Sequence, residues 1–270
     1  MVEQPDAVHP PEFETLRIVE TADVATLTLR RPQVGNLINV TMVKELIAAL
    51  EWLEDESRAS VLVLHGDGDD FCRGIDMTEF EPGKAPDIHG FHKWEKACHA
   101  LERLNKVTVC MVHGMCVGGG AHLALVCDMR LMHRQAKVCF DEVKRGFIPG
   151  LATFRLAKYI GLGRAKSLVL TGRAVGADEA LRIGLADRIY EKAVGDPVLE
   201  ETINEFFPFN ADSLELSRRL LNESYAVEYE DFVGHFLAAQ HRAISSEAFA
   251  EQVRRAHEAS KDSAKKDEGE

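Results

Sequence analysis

Val107–Asp128 reads VTVCMVHGMCVGGGAHLALVCD, and its reading decides the fold. Val107–Val112 is an apolar run rich in β-branched residues, which predicts a buried strand. Gly114 breaks it, and Gly118-Gly119-Gly120 then opens an apolar segment, Ala121–Cys127, that predicts a helix. Glycines at a helix start let backbone approach a ligand closely and leave N–H groups unpaired. The positive end of the helix dipole favours a developing negative charge there. Taken alone, the same residues fit a tight strand-to-helix turn with close packing.

The flanking sequence places this stretch within repeated strand–helix units. Leu16–Glu20 and Val24–Leu29 form an expected hairpin, and Val40–Glu54 a helix with Val43, Leu46, Ile47, Leu50 and Leu53 on one face. Val61–Leu64 is the next strand, and His92–Leu104 the next helix. Short strands are expected at Met129–Met132, Val138–Phe140 and Asp187–Tyr190, with helices at Thr153–Ile160, Gly163–Leu170 and Ala177–Ile183. Pro197–Ala259 reads as helices alone. The order predicts an α/β core over residues 14–195, after a loose arm at 1–13 and before a helical region at 196–260. The charged tail, 261–270, is expected to be disordered.

With 270 residues, 46% hydrophobic and 28% charged, the chain has ample material for a core. A net charge of −12 argues against nucleic acid or an anionic membrane as partner. No membrane-length apolar run or signal-peptide layout appears, so a cytoplasmic location is expected. Cys72, Cys98, Cys110, Cys116, Cys127 and Cys139 lack CxxC spacing and read as reduced core residues. No His/Cys/Asp/Glu cluster has metal-ligand spacing, and no metal is expected. Neither a Rossmann nor a Walker A fingerprint supports NAD or ATP use.

Several motifs together resemble the crotonase (enoyl-CoA hydratase/isomerase) superfamily. They are Arg31-Pro32 with Asn36 and Asn39, FCRGID at Phe71–Asp76, HGMCVGGGAHLALVCD at His113–Asp128, GFIPG at Gly146–Gly150 and LTGRAVGADEALRIGLADRI at Leu170–Ile189. The resemblance implies a spiral of ββα turns and a C-terminal helical trimerisation region, giving a homotrimer or hexamer. It implies an acyl-CoA or acyl-carrier-protein substrate, whose coenzyme A or phosphopantetheine arrives with the substrate, and no permanently bound cofactor. The thioester carbonyl would be polarised by the backbone N–H groups of Ile75 and Gly119, with Gly74, Gly118 and Arg73 contributing to substrate binding. Arg31 and Lys84 are further candidates for phosphate contacts, although each is also an ordinary surface charge.

Hydratases of this superfamily use two glutamates. The resemblance assigns one to Glu142, four residues before Gly146; the other position, two beyond the triple glycine, holds His122. Glu142 and His122 are therefore the catalytic candidates. The alternative for Glu142 is an ion pair with Lys144 or Arg145. A helix start disfavours imidazolium, so His122 is expected neutral, able to accept a proton, bond substrate, position water or merely fill the space. Asp76 is read as a helix cap. His99, His113 and His133 are read as hydrogen-bonded core residues.

The resemblance favours enoyl-thioester hydration or dehydration, with isomerisation by Glu142 alone as the close alternative. A C–C bond hydrolase and a non-catalytic protein that binds acyl thioester or RNA are more distant. LAAQHRAISSEAF, around His241, and FCRGID are also similar to polyketide-cassette members, the dehydratase above all. Met77-Thr78 stands where the decarboxylase member has a lysine, which argues against decarboxylation. His241 itself reads as a solvent-facing helix residue.

Overall fold

A computed structural model describes residues 9–84, 86–192, 197–207 and 211–267, with side chains described through residue 258. The chain divides into two compact units, Met1–Asn204 and Glu205–Glu270. The first holds both sheets. β1 (Leu16–Thr21) and β2 (Val24–Leu29) form the expected antiparallel hairpin. Asn39 then caps α1 (Val40–Asp55) by accepting from the Met42 amide at 2.8 Å, and Met42, Leu46, Ala49, Leu50 and Leu53 are buried at helical spacing.

β3 (Val61–Gly66) pairs parallel with β2, and α2 (Ile88–Arg103) follows. α2 starts four residues before His92 because Asp87 caps it, accepting from the His89 amide at 3.0 Å. The central stretch supplies β4 (Val107–Val112), a short β5 (Met115–Val117) and α3 (Gly119–Leu125). β6 (Met129–His133) and β7 (Lys137–Cys139) follow, then α4 (Ala152–Ile160), α5 (Leu162–Thr171), β8 (Ala174–Gly176), α6 (Ala177–Ile183) and β9 (Arg188–Tyr190). The large sheet runs β1-β2-β3-β4-β6-β9, parallel except for β1, and a second sheet runs β5-β7-β8.

Each ββα turn thus gives one strand to each sheet: β4 and β5 before α3, β6 and β7 before α4. The preceding turn reaches the second layer through a single parallel bridge, Cys72 to Cys116, and the turn before that through Ile38 to Ile75. The ladder continues in the Cys72 amide donating to Met115 O (3.1 Å) and the Val117 amide to Cys72 O (2.9 Å). β5 and β8 are too short for alternation to show in sequence. All six cysteines are buried free thiols.

Asn36 is the polar hub of this layer. It is fully buried at φ +54°, accepts from the Arg31 amide (2.8 Å), and donates to the carbonyls of Asp67 (2.8 Å) and Asp70 (2.9 Å). Those bonds fix the loop that ends at Phe71. Of the expected loose arm, residues 1–8 lie outside the described residues, and Phe13 packs against the core.

α7 (Pro197–Asn204) lies in the first compact unit, which ends at Asn204. The Arg188 guanidinium donates to Thr202 Oγ1 at 3.0 Å, tying α7 to β9. In the second unit α8 (Ala211–Glu223), α9 (Tyr229–Ile244) and α10 (Glu247–Asp267) follow. α10 runs through Asp267, so most of the tail expected to be disordered is helical.

The tightest approach between turns is at Gly120. A Cβ there would stand 2.5 Å from Cys72 O and 2.7 Å from Cys72 Cβ, both rigidly placed. Gly120→Ala is expected to lower unfolding free energy by about 1–3 kcal/mol through overpacking. In exposed α5, where Gly163 has nothing near its Cβ direction, Gly163→Ala should instead stabilise by about 0.4–1 kcal/mol. Urea titration of both variants checks the pair; equal effects would contradict the packing.

Candidate active site

The three glycines at the α3 start serve three purposes. Gly120 lets the helix seat against Cys72. Gly118 has φ +54°, and its missing side chain leaves room for Glu142, whose Oε1 lies 2.9 Å from where a Cβ would be. At Gly119 a Cβ would meet Ile38 Cδ1 at 2.8 Å, Trp94 at 3.6 Å and Ile75 at 3.7 Å. Those three residues also line an apolar cavity with Val43, Phe80 and Phe91.

Gly74 brings the second segment in. At φ +96°, a Cβ there would be 3.0 Å from Val117 O and 3.8 Å from Gly119 N. Ile38 N donates to Gly74 O (2.8 Å) and Asp76 N to Ile38 O (2.9 Å), so the residues on both sides of Ile75 are fixed. Among the described residues, neither the Ile75 nor the Gly119 amide donates to a carbonyl. Two such amides, held by ladders on either side, need no reorganisation to bind a developing oxyanion.

Glu142 is only 4% exposed, on a short 3-10 turn, Glu142–Arg145. Its Oε2 is buried without a hydrogen-bond partner among the described residues. Burial raises its pKa to about 7, with Asp141 adding to the effect and Arg145 opposing it. The basic neighbours do not pair with it: Lys144 donates to Gly172 O, and Arg145 pairs with Asp141 at 2.9 Å. A buried carboxyl with an unused oxygen, ionising near neutrality, is suited to moving a proton.

His122 lies in α3, is buried, and is neutral, as expected. The causes are burial first and then Arg155, which lower its pKa to about 3. Arg155 approaches Nε2 at 2.8 Å, and because guanidinium only donates, Nε2 must accept and Nδ1 carries the proton. In that geometry the Nε2 lone pair is engaged by Arg155. Nδ1 faces Glu95 Oε1 at 3.7 Å and Cys98 Sγ at 4.0 Å, and the ring meets Trp94 edge-on.

Other candidates fall to structural roles. Arg31 is mostly buried and donates to Leu37 O and to Asp76 Oδ2 (3.1 Å), so it is not a free phosphate contact. Arg73 pairs with Asp70, with 56% of its side chain still exposed, and remains available to an anion. Exposed Lys84 pairs with Glu81 at 3.3 Å. Asp76 caps the turn Met77–Glu79 by accepting from Thr78 N, and the Thr78 hydroxyl holds its pKa down. His113 and His133 bond to the carbonyls of Gly68 and Glu191, but His99 is exposed beside Glu102 rather than in the core. His241 is exposed on α9.

Sequence reasoning missed Trp94 as a lining residue and the carboxylate of Glu95. It also missed Arg155, buried and bound to Glu102 through Nε (3.0 Å) and NH2 (2.8 Å). Their spacing carries no local signal; only the depth of Arg155 in an apolar helix face could have flagged it.

Comparison with known proteins gives the chain's relatives. The short-chain-enoyl-CoA hydratase of Clostridium acetobutylicum is 29% identical, over 89% of this chain and 90% of its own. The crotonyl-CoA hydratase of Syntrophomonas wolfei is 28% identical, over 88% and 96%. A Thermobifida fusca YX structure solved in complex with CoA superposes with a TM-score of 0.77 at 26% identity, over 86% of this chain and 93% of that one. The family model for enoyl-CoA hydratase/isomerase matches residues 20–261, and the chain belongs to that family.

Proposed function

We propose that the protein adds water to an enoyl thioester of coenzyme A, or removes it in reverse, through an enolate held by the Ile75 and Gly119 amides. The observation that carries this reading is Glu142: buried, partnerless at Oε2, and against the glycine helix start. In hydration, water oxygen bonds to C3 as one of its O–H bonds breaks and the proton passes to a base or to solvent, and the thioester carbonyl takes up the negative charge. The protonated Glu142 then delivers hydrogen to C2. In dehydration the ionised carboxylate removes that hydrogen. A pKa of about 7 keeps both forms populated near neutrality.

The apolar lining of Ile38, Val43, Phe80, Phe91 and Trp94 suits the acyl chain. The named ligand of the Thermobifida structure supports CoA over a carrier protein. Exposed Arg73 is the cation proposed for its phosphates. Apolar residues left exposed on α9, including Tyr229, Phe236 and Leu237, support assembly into a trimer or hexamer. Isomerisation by Glu142 alone remains the second reading, favoured by the histidine where a glutamate is expected.

Crotonyl-CoA in ¹⁸O-labelled water separates the two. Hydration incorporates the label, and Glu142→Gln should slow incorporation about 10²–10⁴-fold. Double-bond movement without label would favour the isomerase. With pH, kcat/KM for hydration should fall through about 7 as Glu142 loses its proton, and kcat/KM for dehydration should follow the same profile, since their ratio is a pH-independent equilibrium constant.

The same shift predicts a stability effect. A carboxyl whose folded pKa is raised favours the native state below its ordinary value of 4.5, and this contribution is lost as pH rises through about 7. Glu142→Gln, neutral throughout, should therefore gain on the parent by about 1–3 kcal/mol between pH 5 and 8. Chemical denaturation at the two pH values checks it; a constant difference would place Glu142 in solvent-like surroundings.

A further inference from the structure

Position 122 lacks the expected carboxylate, yet one stands beside it. Glu95 projects from α2, and its Oε1 lies 3.7 Å from His122 Nδ1 and accepts from the Leu151 amide at 2.9 Å. The same oxygen is 2.6 Å from where a Gly150 Cβ would project, in the loop that begins at Glu142. Trp94, next to Glu95, reaches Gly119. Glu95 therefore lies between the oxyanion helix and the loop of the first carboxylate. Its side chain is 18% exposed, enough to be met by water.

Buried groups hold it there. Arg155 NH1 lies 3.3 Å from Glu95 Oε2 and 2.8 Å from His122 Nε2, while the rest of the guanidinium is taken by Glu102. Because Arg155 fixes the imidazole as acceptor at Nε2, the proton sits on Nδ1, which lies 4.0 Å from Cys98 Sγ and 3.7 Å from Glu95 Oε1. Glu95 Oε1 accepts one amide and retains acceptor capacity. Arg155 NH1 is shared between His122 Nε2 and Glu95 Oε2, and the neutral imidazole places no second negative charge beside Glu95, as a glutamate at position 122 would.

We propose that Glu95 is the second carboxylate of the site, delivered from α2 instead of α3, with His122 and Arg155 as its positioning residues. This rests on the hydration reading above. Glu95 accepts a proton from water as the oxygen bonds to C3, and Glu142 gives its proton to C2. The two carboxyl groups then return to their starting forms by exchange with solvent, so that one water is added per turnover.

The test is steady-state hydration of crotonyl-CoA by full-length Glu95→Gln, with thermal unfolding followed alongside. Gln keeps the acceptor for Leu151 and loses the base. The expected result is a fall in kcat of about 10²-fold or more with KM changed far less and Tm nearly kept. Restoring a carboxylate on α3, in the double variant Glu95→Gln/His122→Glu, should recover at least about tenfold. Parental kcat in Glu95→Gln would overturn the proposal, as would a loss that His122→Glu fails to relieve. If Glu95→Gln does not fold, His122→Glu alone decides: no gain in kcat supports Glu95 as already filling the role, and a gain of about tenfold or more overturns it. Absence of hydration in the parent would instead refute the hydratase reading itself.

Discussion

The close approach of the α3 start to the Cys72–Ile75 segment is the constraint on which the rest of the molecule depends. Gly120 admits the Cys72 carbonyl and Cβ, Gly74 lies beside Val117 O, and among the described residues the amides of Ile75 and Gly119 donate to no carbonyl. A methyl group at any of these glycines would force the two turns of the spiral apart. Fold and site are thus one packing problem: the ladder that builds the second sheet is also what holds the proposed oxyanion donors.

The electrostatics around that point divide into two regions. On one side Glu142 is buried with an unpartnered oxygen and ionises near neutrality, while Lys144 and Arg145 are engaged elsewhere. On the other, Arg155, Glu95, Glu102 and His122 form a nearly closed network in which arginine meets two carboxylates and a neutral imidazole. A buried arginine with fewer partners would be costly, and the network's density explains how α4, α2 and α3 tolerate it. His122 is integral to that network, whatever its distance from the chemistry.

Much of this was legible from residues alone because it is local. Apolar runs, helical spacing and glycines predicted β4, α1 and the glycine helix closely, and the motif order carried the family. Glu142 is a candidate through the family resemblance, by its place before the Gly146–Gly150 turn. The short strands β5 and β8 escaped because three residues show no period, and α2 began early because Asp87 was not read as its cap. The tail from residue 261 was read as disordered from its charge, yet α10 continues through Asp267. Glu95 and Arg155 could not be read at all. Their meaning comes from contacts across 33 and 60 positions of sequence, which no window contains.

The central claim is that the Ile75 and Gly119 amides polarise a thioester carbonyl next to Glu142. Its most direct test is the vibrational frequency of a ¹³C-labelled enoyl-CoA carbonyl bound to Glu142→Gln, where turnover is suppressed. Two preorganised donors predict a carbonyl stretch well below that of the same thioester in water. A frequency equal to or above the aqueous value would contradict the account.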